Sequence, residues 1–311
     1  MAFDVTALSA YIEDQDFPLI AKVQATGGLA EVVSIQAGIK GSSNLQFLDS
    51  DVVFGADGCS RTPSGTTTFT QKTLTVGAIA ISEDLCVKDL IGYWTQTMMK
   101  QGANTEAEVP GEIERLWLDT KMNKLKNQLA KSDFQGDTGS GTNNLSYYDG
   151  LLKLVDADGT VIDGNTGAVT VATGVTTANI LAILDAMWLA RPENIREKSN
   201  LSLWMPIAYY DLYVVALKNA NLFHYKGDDG QVKLYGTDLT IRPTVGLSGI
   251  DRMILASDDN ITIGVDGTGD EDQVSVRENP MTNKSVFYDV TFKRGVQYAF
   301  GDEIVEFTLV P

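Results

Sequence analysis

Residues 66–82, TTTFTQKTLTVGAIAIS, are the stretch on which the reading of this chain turns. They are rich in Thr and β-branched side chains. Leu74, Val76, Ala78 and Ala80 fall on alternate positions, the period of a strand with one buried face. Upstream, Ile39 to about Phe54 reads as a second extended run. Between the two lies GADGCSRTPSG, residues 55–65, whose Gly, Ser, Asp and Pro content forms turns. Two long strands meeting at a polar tip predict a projecting hairpin over 39–82. A lone two-stranded hairpin is marginal in water, so this one is expected to lean on another surface.

Helices are expected next. Ser82 to about Met99, SEDLCVKDLIGYWTQTMM, opens with Ser and two acids, a helix-start signal. Pro110 marks the start of another, EIERLWLDTKMNKLKNQLAK, which runs from Glu112 to Lys131 without a breaker. Leu118, Met122, Leu125 and Leu129 step by four, three and four along it and form an apolar stripe that reads as a core face. Its length of about 20 residues at roughly 1.5 Å each makes a rod of about 30 Å. It is also basic, with five Lys and Arg against three acids between Gly111 and Lys131.

Phe134 to Gly150 reads as loop, and LLKLVDADGTVIDG, residues 151–164, as a hairpin around Ala157-Asp158-Gly159. Thr176-Thr177 cap a helical run in which Ile180, Leu184 and Met187 share a face and which stops near Arg191-Pro192. LSLWMPIAYYDLYVVALKN reads as a buried strand, a Pro206 at a helix start and a helix to about Asn219. The remainder, VKLYGTDLTIRP, DRMILASDDNITIGV, KSVFYDVTFKRGVQYAF and DEIVEFTLV, is strand-rich. The first forty residues read as an arm.

Composition narrows the function. The 311 residues, 43% hydrophobic and 21% charged, describe a folded chain with room for two domains at about 100–200 residues each. The net charge of −17 repels polyphosphate and disfavours tight binding of duplex nucleic acid. The single histidine, His224, and the two cysteines, Cys59 and Cys86, are too few for most zinc, haem or iron–sulfur designs. His224 reads as a packing residue and the cysteines as reduced thiols, since the first residues carry no export signal. No apolar run approaches the roughly 18 residues that a membrane span needs.

The catalytic motifs have no anchor. Asp137-Thr138-Gly139-Ser140 matches an aspartic-protease signature, but it lacks a preceding apolar strand and a second copy. Asp156-Ala157-Asp158-Gly159 opens like a calcium loop, yet its Gly stands at the fourth position and Gly167 stands where a closing Glu belongs. Gly246-Leu247-Ser248-Gly249 lacks the spacing of a nucleophile elbow. The acids at Asp266, Asp270, Glu271 and Asp272 read as a solvated loop, with weak divalent-ion binding as the alternative. The expectation is a non-enzyme with no cofactor, no metal ligand and no catalytic residue.

The order of elements resembles the major capsid proteins of tailed bacteriophages, the Hong Kong 97-like fold, over nearly the whole chain. The resemblance is carried by TFTQKTLTVGAIAISEDL, the helix Glu112–Lys131, SLWMPIAYYDLYVVAL and ENPMTNKSVFYDVTFKRGVQYAFGDEIVEF. It implies an α+β fold with an N-arm at 1–38, an E-loop hairpin at 39–82 and a peripheral domain at 83–150 and 265–311. The spine helix lies at about 112–131 and an axial domain at 151–264. It further implies self-assembly as hexamers and pentamers into an icosahedral head around double-stranded DNA, located in the virion and assembled in a host bacterial cytoplasm. The implied partners are other copies of the chain, portal, separate scaffolding, decoration or minor capsid proteins, and DNA held by weak non-specific contact. The contacts between subunits are expected from Lys40, Phe47, Phe54, Phe69 and Lys72 of the hairpin. Leu118, Lys121, Met122, Lys124, Leu125 and Leu129 define the spine helix. Two alternatives stand beside this: an encapsulin-like shell within the same fold, and another strand-rich structural phage protein.

Overall fold

The computed structural model describes residues 28–55, 65–86, 111–142, 144–167, 169–222, 233–266, 275–278 and 285–311. The chain enters through a 3-10 turn, Gly28–Glu31, and a short strand β1 (Ser34–Gln36). The predicted hairpin follows as β2 (Ser42–Ser50) and β3 (Thr67–Thr75), antiparallel with Ser42 opposite Thr75 and Ser50 opposite Thr67. Its tip lies outside the described residues.

The second hairpin strand does not run on unbroken to Ser82. At Val76 the chain leaves β2 and becomes β4 (Gly77–Cys86) in a different sheet. Leu74 and Val76 are buried as the alternation predicts, but Ala78 and Ala80 are exposed, and Ile79, Ile81 and Glu83 turn inward instead. The one residue between the two ladders, Val76, whose amide donates to the Gly41 carbonyl at 2.9 Å, reverses which parity faces the core. A second correction follows. Residues 82–86, expected to begin a helix, continue β4, because each pairs in register with a later strand, from Ser82 opposite Asp289 to Cys86 opposite Ser285. A local helix-start signal yields to a complete row of ladder bonds. The rest of that expected helix, 87–99, lies outside the described residues.

The long helix expected at about 112–131 forms as α1 (Gly111–Gln135). The stretch expected to be a hairpin at 151–164 is instead a short helix, α2 (Leu151–Ala157), a turn and a two-residue strand β5 (Ile162–Asp163). The reason is visible in its burial: Leu151, Leu152 and Val155 go inward together, at helical rather than alternating spacing. Next come α3 (Ile180–Leu189), α4 (Glu193–Arg196), β6 (Leu201–Pro206) and α5 (Ile207–Asn219), with Pro206 at the helix boundary as expected. The chain then lays down β7 (Thr240–Thr244), β8 (Arg252–Ser257), β9 (Ile261–Val265), β10 (Ser275–Glu278), β11 (Ser285–Tyr298) and β12 (Val305–Thr308).

Two five-stranded sheets organise these elements. In the first, β11 is flanked by β4 and β10 along its first half and by β9 along its second, and β1 pairs parallel to β9. The second has the order β5-β12-β8-β6-β7. It lies between two cores. Leu203, Met205, Met253 and Leu255 face one core with α3 and α5, while Trp204, Ile254 and Ala256 face the other with α2, β9 and β11. Burial on both faces explains why LSLWMP and RMILAS are continuous apolar runs without polar alternation. The closing strand β12 belongs to this second sheet.

The end of α1 is fastened at two places. Gly246, in the 3-10 turn after β7, sits so close to the helix that an added Cβ would lie 2.4 Å from the Phe134 ring and 2.5 Å from the Ala130 carbonyl oxygen. Only Gly allows that approach. The Gln135 side-chain amide then donates to the Gly246 carbonyl at 2.6 Å. The second fastening is a buried ion pair. Arg294 donates through Nε and Nη2 to the two Asp133 oxygens at 2.8 and 2.7 Å, and the Tyr148 hydroxyl donates to Asp133 at 2.7 Å. Asp133 and Arg294 are both 0% exposed. Burial by itself would lower the Arg294 pKa, but the Asp133 carboxylate outweighs it and holds the guanidinium charged; burial and that same carboxylate push Tyr148 well up.

Candidate assembly surface

Nine residues per strand at about 3.4 Å each make β2–β3 an arm of roughly 30 Å. Its two halves differ. At the root, Ile39, Leu74 and Val76 form a small core of their own, with Leu45 packed on it. Leu74 seats against Gly264 of β9, where an added Cβ would meet the leucine Cδ2 at 2.8 Å. Gln297 donates to the Thr73 carbonyl at 3.0 Å, and the rings of Phe47 and Phe300 meet with centroids 5.6 Å apart.

Lys72 completes the root. Its ammonium donates to Asp158 at 3.1 Å and lies 3.9 Å from the centre of the Tyr298 ring, which combines an ion pair with a cation–π contact. Asp158 also accepts from the Thr160 hydroxyl at 2.6 Å, the Thr160 amide at 3.1 Å and the Tyr298 hydroxyl at 2.8 Å. Burial alone would raise the Asp158 carboxyl, but the bonds from Thr160, Tyr298 and Lys72 hold it well below the usual carboxylate range. Tyr298 moves the opposite way, pushed up by burial and by the carboxylate it serves.

Beyond the root the arm carries exposed apolar side chains. Leu48 and Phe69 stand directly opposite each other across the ladder, and Phe69 is 77% exposed. Val52, Val53 and Phe54 continue the apolar surface, with Phe54 95% exposed. Contiguous exposed apolar side chains of this size mark a contact site.

The expected hairpin residues therefore divide. Phe54 and Phe69 lie on the open distal surface, Lys40 is exposed near the root, and Phe47 and Lys72 are used within the chain. On α1, Leu129 is buried, Leu125 half-buried and Lys124 exposed, while Lys121 pairs with Glu83 of β4. The side chains of Leu118 and Met122 lie outside the described residues, as do His224 and residues 267–272.

The motifs weighed as chemistry have structural uses. Asp137 accepts from the Gly139 amide at 2.8 Å and from Lys153 at 2.5 Å, and Lys153 also reaches Asp149 at 2.8 Å, so both carboxylates are spent closing a loop. The Lys153 hydrogen bond and the Gly139 amide lower the Asp137 pKa. Asp266 is buried against Lys293 at 2.6 Å. Among the described residues no group of three or more His, Cys, Asp or Glu side chains is placed to hold a metal ion, and no helix is long and apolar enough to cross a membrane.

No protein-family model and no curated protein sequence matches this chain. Solved structures do. A chain of the satellite phage P4 procapsid superposes with a TM-score of 0.57 at 11% identity, covering 94% of this chain and 98% of that one. The fold is that of phage capsid proteins. The capsid-protein fold also relates the chain to the capsid of an empty GTA particle, with a TM-score of 0.58 at 13% identity over 92% and 90% of the two chains. A virus-like particle from Pyrococcus furiosus matches at 0.51 and 10% identity over 96% and 99%. At such identities the likeness lies in the fold: mixed helix and strand content arranged in several sheets.

Proposed function

We propose that this chain is a structural shell subunit, a major capsid protein that assembles as hexamers and pentamers into an icosahedral head around double-stranded DNA. The observation that carries the reading is the hairpin on a capsid fold, fixed at its root and apolar at its distal half. Burying a Phe side chain stabilises by about 1.5–3 kcal/mol, so Leu48, Phe69 and Phe54 supply a strong drive to associate once a neighbouring copy covers them. In this reading β2–β3 is the E-loop, α1 the spine of a peripheral domain, and the second sheet with α3 and α5 the axial domain. Because β12 joins the second sheet, Val305–Thr308 goes with the axial domain rather than with the rest of 265–311.

The net charge of −17 suits a container wall, which must not grip its contents. The exposed Lys124 face of α1 is the surface we assign to weak contact with DNA. Portal, scaffolding and decoration proteins are partners of the same reading. A second reading is an encapsulin-like shell around protein cargo, built on the same fold.

Electron microscopy of the purified full chain, and of particles from its natural source, tests both. Uniform icosahedral particles are expected, carrying long DNA in the natural source. Particles filled with protein and free of DNA favour the cargo shell. A chain that stays monomeric or trimeric at every concentration rules out both.

A further inference from the structure

Arg191 follows α3 and is only 6% exposed. Its guanidinium lies over the Trp188 ring, 3.1 Å from the ring centre, and its Nε donates to the Trp188 carbonyl at 2.8 Å. Its Nη1 is buried and has no hydrogen-bond partner. Other arginines of the fold have acids: Arg294 pairs with Asp133, Arg252 with Asp156 and Glu306, and Arg242 with Asp258. Arg191 has none among the described residues. The charge that acts on it is another cation, Arg196, whose Nε donates to the Arg191 carbonyl at 3.1 Å. Burial and the Arg196 charge both push the Arg191 pKa down, so the isolated chain disfavours the charge it holds there. Beside this stack Leu189 is 72% exposed. A stacked Trp and Arg with an open apolar neighbour is the composition of an interface anchor.

We propose that Trp188, Leu189 and Arg191 anchor a contact between copies of this chain, in which Arg191 receives a carboxylate from the neighbouring copy. The inference rests on the shell-subunit reading above. The occupant follows from charge. With 41 acids against 24 bases, a second copy presents many carboxylates and few competing cations. A nucleic-acid phosphate fits less well, because Glu193 and Glu197 stand exposed on the same turn and oppose the dense row of charges that a phosphate backbone would bring beside them. The carboxylate meets the Nη1 side of the fork, since Nε is already taken. Nη1 is buried in the single chain, so the contact requires the groups that cover it to move on association.

The test compares the full wild-type chain with Arg191→Met, Arg191→Lys and Leu189→Asp, reading the fold by circular dichroism and the assembled fraction by sedimentation. Arg191→Met is expected to fold and to lose at least tenfold in assembled particle at equal concentration. Arg191→Lys is expected to recover only a small part, having charge without the planar fork. If Arg191→Met fails to fold, Leu189→Asp decides: its side chain is exposed, so a folded subunit that does not assemble supports the anchor, and wild-type assembly overturns it. Wild-type yield from Arg191→Met also overturns it. So does normal assembly with lost nucleic-acid content, which would assign Arg191 to phosphate. In the particle structure a neighbour's carboxylate is expected within 4 Å of the guanidinium, and its absence from every copy refutes the contact. If the wild-type chain itself never assembles, the shell reading fails first, and this inference falls with it.

Discussion

Asp133 and Arg294 sit on faces that the sequence pattern assigns to the core. Asp133 is the next step after Leu125 and Leu129 on the α1 stripe, and Arg294 alternates with Val290, Phe292, Val296 and Tyr298 on β11, all of them buried. A single charged residue on an apolar face is the visible trace of a buried ion pair, but the pattern does not say which charge on a distant element completes it. Removing one partner leaves the other charge buried and uncompensated, at a cost of about 3–5 kcal/mol. Arg294→Met is therefore expected to lower the subunit's unfolding free energy in urea by about that much. The triple change Asp133→Leu, Arg294→Met and Tyr148→Phe is expected to recover much of the loss, because it removes the charged pair and its tyrosine donor together. An Arg294→Met subunit within about 1 kcal/mol of wild type would mean that water or another group compensates Asp133.

The hairpin is the element in which sequence and structure agree in outline and differ in mechanism. Its two strands, its turn composition and its need for support were legible from 66–82 and from the run before it. The break at Val76 was not, because the alternation of Leu74, Val76, Ala78 and Ala80 reads the same whether one sheet or two receive it. Nor was the role of Asp158, which sits in a turn whose composition suggested a β-hairpin tip. The structure makes Asp158 the acceptor that holds Lys72, and so the orientation of the arm. Its folded carboxyl is held below the ordinary value of about 3.9. The root is thus fully latched above about pH 4 and released as pH falls through the depressed folded value. Asp158→Asn, which keeps size but not charge, is expected to speed amide hydrogen exchange of Lys72–Thr75 about tenfold at neutral pH with little change in global unfolding. The difference from wild type should close as the pH is lowered below about 4. Unchanged exchange in the variant would assign the latch to the Leu74 and Phe47 packing alone.

At the scale of the whole molecule, one long apolar segment set between two cores and one arm extending from them account for most of what the sequence made legible. A largely apolar run such as LSLWMP identifies a strand buried on both sides. What pairs with what across hundreds of residues, such as β4 with β11 or β12 with β8, is set by the closed geometry of the sheets and leaves no local trace. The distal arm is the converse case. Leu48, Phe54 and Phe69 are exposed, and among the described residues their apolar character serves no packing need. Replacing exposed residues changes subunit stability by about 0.5 kcal/mol or less. If the chain is a shell subunit as proposed, their loss from an interface repeated at every copy is multiplied by the number of contacts. Phe54→Ser with Phe69→Ser is therefore expected to leave the circular dichroism spectrum and urea midpoint of the subunit unchanged while reducing assembled particles in sedimentation by at least tenfold. Full particle yield from that double variant would place the contacts between copies elsewhere on the fold and leave the hairpin's apolar end without a function.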